Sequence, residues 1–289
     1  MKTVTLEITS RLSGRKIESI LEKELQFSRS LIVKLKRTDG AVTLNGQSEK
    51  VIAKVTTGDV LTVNIPEREY GGVLKAEIPL DILFEDEDII AVNKPPAMPV
   101  HPSRNHSSDT LANGLKFYLG ENAGIHIITR LDRDTSGVVL VAKNTHMAKL
   151  LTDIMKKGNI EKEYIAIVNG CLMPSEGIID APIDRDTGIK RKVSQNGKPA
   201  LTEYKVIKNG EISAIRLFPK TGRTHQIRVH LAYIGHPIYG DIMYGAHQRG
   251  ERTRLHCHKI SLIHPFTGNE LVITAPIPED MCHSELFGE

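Results

Sequence analysis

Four short segments of the sequence carry side chains whose types and spacing could do chemistry. Thr129-Arg130-Leu131-Asp132-Arg133-Asp134-Thr135-Ser136-Gly137 sets the Asp132 carboxylate between two arginines in a polar turn, just before the apolar run Val138-Val139-Leu140-Val141-Ala142. A carboxylate placed there is held ionised by nearby cations and presented at the mouth of a buried strand, as a nucleophile or general base requires. The other three are Val92-Asn93-Lys94-Pro95-Pro96 with His101-Pro102, Lys162-Glu163-Tyr164-Ile165-Ala166, and Thr221-Gly222-Arg223-Thr224-His225-Gln226-Ile227-Arg228-Val229-His230. The last runs on into Gly235-His236-Pro237-Ile238-Tyr239-Gly240-Asp241. Asp134, followed by Thr-Ser-Gly, is good turn and capping chemistry and is expected to shape the loop.

These segments sit at the ends of predicted elements. Ile89 to Lys94 is a short apolar run stopped by Pro95-Pro96, a buried strand entering a rigid loop. Thr145 to Lys157 reads as a helix, with Thr145 as N-cap, Met147, Leu150, Leu151 and Ile154 on its apolar face, and Gly158 closing it. Tyr164 to Val168 is a strand, and Leu201 to Leu217 a hairpin turned at Asn209-Gly210. Thr224 to Ile234 reads as a helix with Ile227, Leu231 and Ile234 inward and Gly235 as its left-handed stop. Hairpins mixed with a few helices predict an α+β body with a mainly antiparallel sheet.

The N-terminal part is different in charge. Residues 1–65 hold eleven Lys/Arg and seven Asp/Glu, a balance of +4, while the whole chain is +3, so the remainder is −1. Residues 16–27 read as a helix, and Ser28 caps a second that runs through Leu31, Ile32 and Leu35 and shows Arg29, Lys34, Lys36 and Arg37 on its other face. The strand Gly40 to Gly46 ends in the hairpin dipeptide Asn-Gly, and Val60 to Ile65 follows the turn Gly58-Asp59. A basic helix beside short strands suits attraction to nucleic acid. Pro66 to Lys75 is polar, contains a Gly pair and reads as a linker.

Taken in order, the four chemical segments resemble the RluA-type pseudouridine synthases over roughly residues 78–280. The tail Leu255-His256-Cys257-His258, with His264-Pro265 and Ala275-Pro276-Ile277-Pro278, is similar too. The front unit resembles the S-four-like RNA-binding domain through Ser28-Arg29-Ser30, Gly40 to Gly46 and Gly58 to Leu61. The resemblance implies an S-four-like domain over 1–66, a linker over 67–77 and a catalytic domain of pseudouridine synthase fold over 78–289, a mixed and mainly antiparallel sheet with flanking helices and a central cleft. It implies Asp132 as the aspartate that attacks the target uridine, so that the glycosidic bond breaks, the base rotates and carbon 5 rejoins the ribose. It further implies Arg223 as the arginine paired with that aspartate, Tyr164 as the ring that stacks on the base, and Ile227 as an aliphatic wall. Arg130 would fill the gap left by the extruded base, and Arg29, Lys34 and Arg37 would hold RNA. Thr129 stands where the family commonly has His.

The substrate this implies is structured RNA, with large-subunit ribosomal RNA favoured and transfer RNA the alternative; a catalytically silent RNA-binding or assembly factor is the other reading. The isomerisation needs neither metal nor cofactor, and no Gly-rich phosphate loop is present. Seven of the twelve histidines lie between residues 225 and 264, which raises a metal hydrolase as a rival. His225 and His230 are five apart, however, and fall about 140° off one helix face. The three cysteines, Cys171, Cys257 and Cys282, are widely spaced and imply no disulfide framework. No apolar signal segment follows Met1 and no apolar run reaches the ~18–20 residues of a membrane span. A cytoplasmic monomer without membrane association is expected.

Overall fold

The computed structural model describes residues 2–65, 73–120, 123–247 and 251–282. Of the expected linker, residues 67–72 lie outside the described residues. The N-terminal unit runs β1 (Lys2–Glu7), α1 (Ile17–Lys23), α2 (Arg29–Arg37), β2 (Val42–Leu44), β3 (Gln47–Ser48) and β4 (Val60–Ile65), with sheet order β1-β4-β2-β3. Ser28 caps α2, accepting from the Leu31 N–H at 3.2 Å. Asn45 and Gly46 both take positive φ, so the β2–β3 turn is the kind whose twist suits a two-residue hairpin. The first helix is shorter than its apolar spacing suggests: Gln26 turns left-handed at φ 53° and the Leu25 and Phe27 N–H groups fold back onto Ile20 and Leu21. Ile17, Ile20, Leu21, Leu31, Ile32 and Leu35 pack on Leu61, Val63 and Ile65 in a core of their own.

The body continues with β5 (Ile82–Glu85), β6 (Ile89–Lys94), α3 (Leu111–Leu119), β7 (His126–Ile127), β8 (Ser136–Ala142), α4 (Thr145–Lys156), β9 (Ile160–Asn169), β10 (Glu176–Asp180), β11 (Ile183–Arg185) and β12 (Arg191–Val193). It ends with β13 (Leu201–Lys208), β14 (Ile212–Pro219), α5 (Gln226–Tyr233), β15 (Leu255–Ile263) and β16 (Glu270–Thr274). Among the described residues one sheet of ten strands runs β10-β13-β14-β9-β15-β8-β6-β5, with β16 on β15 and β7 on β8. This is an α+β fold with a mainly antiparallel sheet, as expected. The one parallel seam in that sheet is short, His256 opposite Ser136 and Cys257 opposite Gly137.

That seam places the Asp132 loop. Gly137 sits at φ 109°, and a Cβ there would lie 2.2 Å from the Cys257 carbonyl oxygen, so only glycine lets β8 approach β15. β8 is buried along its whole length, which matches its unbroken apolar run. A helix cap and a turn also differ from the sequence reading. Asn144, not Thr145, caps α4, its side chain accepting from the Met147 N–H at 2.9 Å. The β13–β14 connection at Asn209-Gly210 takes no positive φ; instead the Asn209 Oδ1 accepts from the Leu172 N–H and the strand pairing bulges between Val206 and Lys208.

Candidate active site

The loop from Thr129 to Thr135 crosses the mouth of the sheet and is tied down at three points. The Thr129 hydroxyl accepts from the Leu140 N–H at 2.9 Å, so the residue standing where the family has His anchors the loop to its own following strand. The Thr135 N–H closes back on the Asp132 carbonyl at 3.2 Å. The third tie is Lys94, at the end of β6 and fully buried, whose ammonium donates to the carbonyls of Pro95, Met98 and Arg133 at 2.8–2.9 Å. Burial pushes Lys94 down to about 7, opposed by the Asp134 and Asp132 charges. Three carbonyls around three N–H donors favour the charged form. Asp134 pairs with Arg133 at 3.0 Å at the surface, consistent with a turn-shaping residue.

Asp132 faces a cleft of about 410 Å³ together with Tyr164, Lys162, Ile227, Arg228 and Leu255. Its carboxylate receives the Arg228 Nη1 at 3.2 Å. Arg228 is itself gripped by Asp241, Nε to Oδ2 at 2.7 Å and Nη2 to Oδ1 at 2.8 Å, in bidentate geometry. Desolvation weighs against the guanidinium charge, but Asp241 first and Asp132 second outweigh it and raise the Arg228 pKa. His225 stands on the other side of the carboxylate, its Nε2 3.9 Å from Asp132 and its Nδ1 2.8 Å from the Tyr244 hydroxyl. Burial lowers the His225 pKa, with Asp132 pulling the other way.

The arginine that pairs with Asp132 is therefore Arg228, not Arg223. The reason lies in where α5 begins. His225 adopts φ 57° and the helix starts at Gln226, two residues later than a start at Thr224 would set it. The Gln226 side chain then accepts from the Arg223 N–H and the Thr221 hydroxyl, fixing that loop outward. Arg223 is exposed at the cleft rim and donates to the Pro199 carbonyl at 2.9 Å. Arg228, on the first turn of α5, points inward. Asp241 is buried in the structure, and a buried carboxylate needs a buried cation, which Arg228 supplies.

Tyr164, on β9 opposite Cys257, lines the cleft and is 8% exposed. Burial raises its phenol well above the ordinary range, reinforced by the neighbouring Cys257 thiol and Asp132, and the Cys257 thiol is itself pushed up to about 12. Ile227 is buried in the wall. Arg130 is exposed at the rim. Arg29 and Arg37 are exposed on α2, and Lys34 is half-buried there. No cluster of three or more His, Cys, Asp or Glu able to hold a metal occurs among the described residues. His230, deep in the fold, bonds the Thr202 hydroxyl and the Ala181 carbonyl.

A sequence model of the RNA pseudouridylate synthase family matches residues 88–233. The chain belongs to the RNA pseudouridylate synthase family. An uncharacterized RNA pseudouridine synthase of Bacillus subtilis is 41% identical over 89% of this chain and 94% of its own length. The ribosomal large subunit pseudouridine synthase D of Vibrio vulnificus is 38% identical over 94% of this chain and 90% of its own. Among solved structures, human RNA pseudouridylate synthase domain containing 1 superposes with a TM-score of 0.60 at 27% identity, covering 70% of this chain and 84% of that one. This synthase is an isomerase that moves uracil within its RNA substrate, and no helix among its described residues is long and apolar enough to cross a membrane.

Proposed function

We propose that this synthase converts uridines of structured large-subunit ribosomal RNA to pseudouridine, with Asp132 as the catalytic carboxylate. The observation that carries the assignment is the chain Asp132–Arg228–Asp241. A half-exposed carboxylate is held by a buried arginine that a second carboxylate fixes in place. Such an arrangement gives Asp132 a fixed cationic partner and aims its carboxylate at the cleft. Tyr164 presents a protonated phenol and a ring face on which the flipped base stacks, Ile227 closes the apolar wall, and Arg130 at the rim re-stacks in the vacated position. Arg223 serves as a rim cation for the RNA backbone rather than as partner of Asp132.

The ribosomal assignment is supported by the similarity to the Vibrio enzyme, and by a small N-terminal unit with its own core and a basic α2 carrying Arg29, Lys34 and Arg37. In this reading residues 1–66 form an S-four-like RNA-binding domain and 78–289 the catalytic domain, acting in the cytoplasm as a monomer. Carbodiimide mapping of pseudouridine in cells lacking the protein tests it. The expected loss is one or more sites in large-subunit ribosomal RNA. Loss confined to transfer RNA redirects the substrate, and no lost site in any RNA refutes the proposal.

A further inference from the structure

Four Lys/Arg side chains and one carboxylate line the cleft among the described residues. Arg228 is already engaged by Asp241 and Asp132, while Arg130 and Arg223 are exposed at the rim, where phosphates pass. Lys162 is differently placed. It lies half-buried on the same face of β9 as Tyr164, two residues and therefore about 6.6–6.8 Å away along the strand. On the opposite face Glu163 gathers Arg216 at 3.5 Å and Lys259 at 3.1 Å. No such partner reaches Lys162: among the described residues the group that acts on it is the Cys257 thiol, and burial pulls its ammonium below the usual lysine range. An unneutralised cation beside the base-stacking tyrosine, walled by Ile227 and Leu255, is set to meet negative charge arriving with the substrate.

The reaction supplies such charge, and this step rests on the reading of Asp132 given above. The N1–C1′ bond breaks with its electron pair going to the uracil ring, leaving C1′ positive or bonded to Asp132. After the ring turns, a ring pair forms the C5–C1′ bond while any Asp132–C1′ bond breaks with its pair returning to the carboxylate; the C5 proton then passes to a base such as that carboxylate and N1 takes a proton from solvent, so atoms and electrons balance. Between the two events the ring is anionic, its charge spread over N1 and the carbonyl oxygens.

We propose that Lys162 is a catalytic residue: its ammonium contacts a carbonyl oxygen of the displaced uracil and stabilises the anion while the ring turns over Tyr164. Fixed positive charge aimed at developing charge in a closed site is an effective use of a buried cation. Single-turnover pseudouridine formation on an unmodified transcript of large-subunit ribosomal RNA, with RNA dissociation constants measured in parallel, tests this. For Lys162→Met the rate at saturating enzyme is expected to fall about 100-fold, with RNA affinity within about threefold, while Lys162→Arg keeps most of the rate. Lys162→Gln repeats the measurement should the Met variant fold poorly. A rise in the dissociation constant with full rate at saturation places Lys162 on the RNA backbone and overturns the proposal, as does an unchanged rate. If Asp132→Asn is inactive while Lys162→Met is not, only the Lys162 assignment falls; an active Asp132→Asn removes the reading beneath it.

Discussion

Arg228→Met takes one guanidinium from between two carboxylates in unlike surroundings. The Asp241 side chain is 1% exposed and that of Asp132 is 29% exposed. Stranding the Asp241 charge in the interior costs about 3–5 kcal/mol, whereas the solvated Asp132 contributes at most ~1 kcal/mol to stability. At roughly 2–4 °C per kcal/mol, the melting temperature should drop by about 6–20 °C. Adding Asp241→Leu removes the stranded carboxylate and should restore most of that loss, giving a double-mutant coupling of about 2 kcal/mol or more. Activity should behave oppositely. Asp132 has lost its partner in both variants, so single-turnover isomerisation stays down about 100-fold in the recovered double variant. Calorimetric melting and single-turnover assays on the same preparations read both quantities. Arg228→Met melting within about 2 °C of wild type, or a double variant that regains activity, would refute the relay.

Two further predictions concern buried titratable groups. Lys94→Met leaves the Pro95, Met98 and Arg133 carbonyls without their donor, partly offset by removal of a buried ammonium; the net cost is about 2–4 kcal/mol. The loop carrying Asp132 loosens, so kcat should fall at least about tenfold with RNA affinity kept; an unchanged kcat would show that Lys94 does not position the loop. His146 packs between Phe27 and Phe266, its Nδ1 without a hydrogen-bond partner among the described residues, and desolvation pushes it down to about 4. The unfolded chain takes up a proton near 6.5 that the folded chain refuses, so stability is intact above that pH and falls as pH drops through the window to about 4. The loss approaches about 3 kcal/mol. His146→Phe should remove most of that term from urea titrations at pH 7 and 4.5, and an equal acid loss in both proteins would contradict it.

The chemistry-bearing segments were readable because their residue types are constrained together: a carboxylate turn before an unbroken apolar strand, a tyrosine inside a strand, two arginines near a helix start. The strands were legible for the same reason, since the unbroken apolar run of β8 is buried along its whole length. What the pattern could not resolve was which arginine faces Asp132. Arg223 and Arg228 differ by five positions, and the choice turns on the left-handed φ of His225 and on the Gln226 side chain holding the preceding loop outward. Neither a local backbone conformation at a non-glycine residue nor a side-chain clamp leaves a periodic trace in sequence. The same holds for Lys94, which reads as an ordinary lysine before two prolines and proves to be a fully buried three-way tie between loops. Asn144 in place of Thr145 as the α4 cap is a one-residue difference between two good capping types.

The central claim is that Asp132 performs the isomerisation. Asp132→Asn keeps the side-chain shape and still accepts a hydrogen bond from Arg228, while removing the charge. Incubated at saturating enzyme with an unmodified large-subunit ribosomal RNA transcript, it should bind the RNA within about threefold of wild type and form no pseudouridine above the uncatalysed background. Pseudouridine appearing at the wild-type rate in that variant would contradict the account.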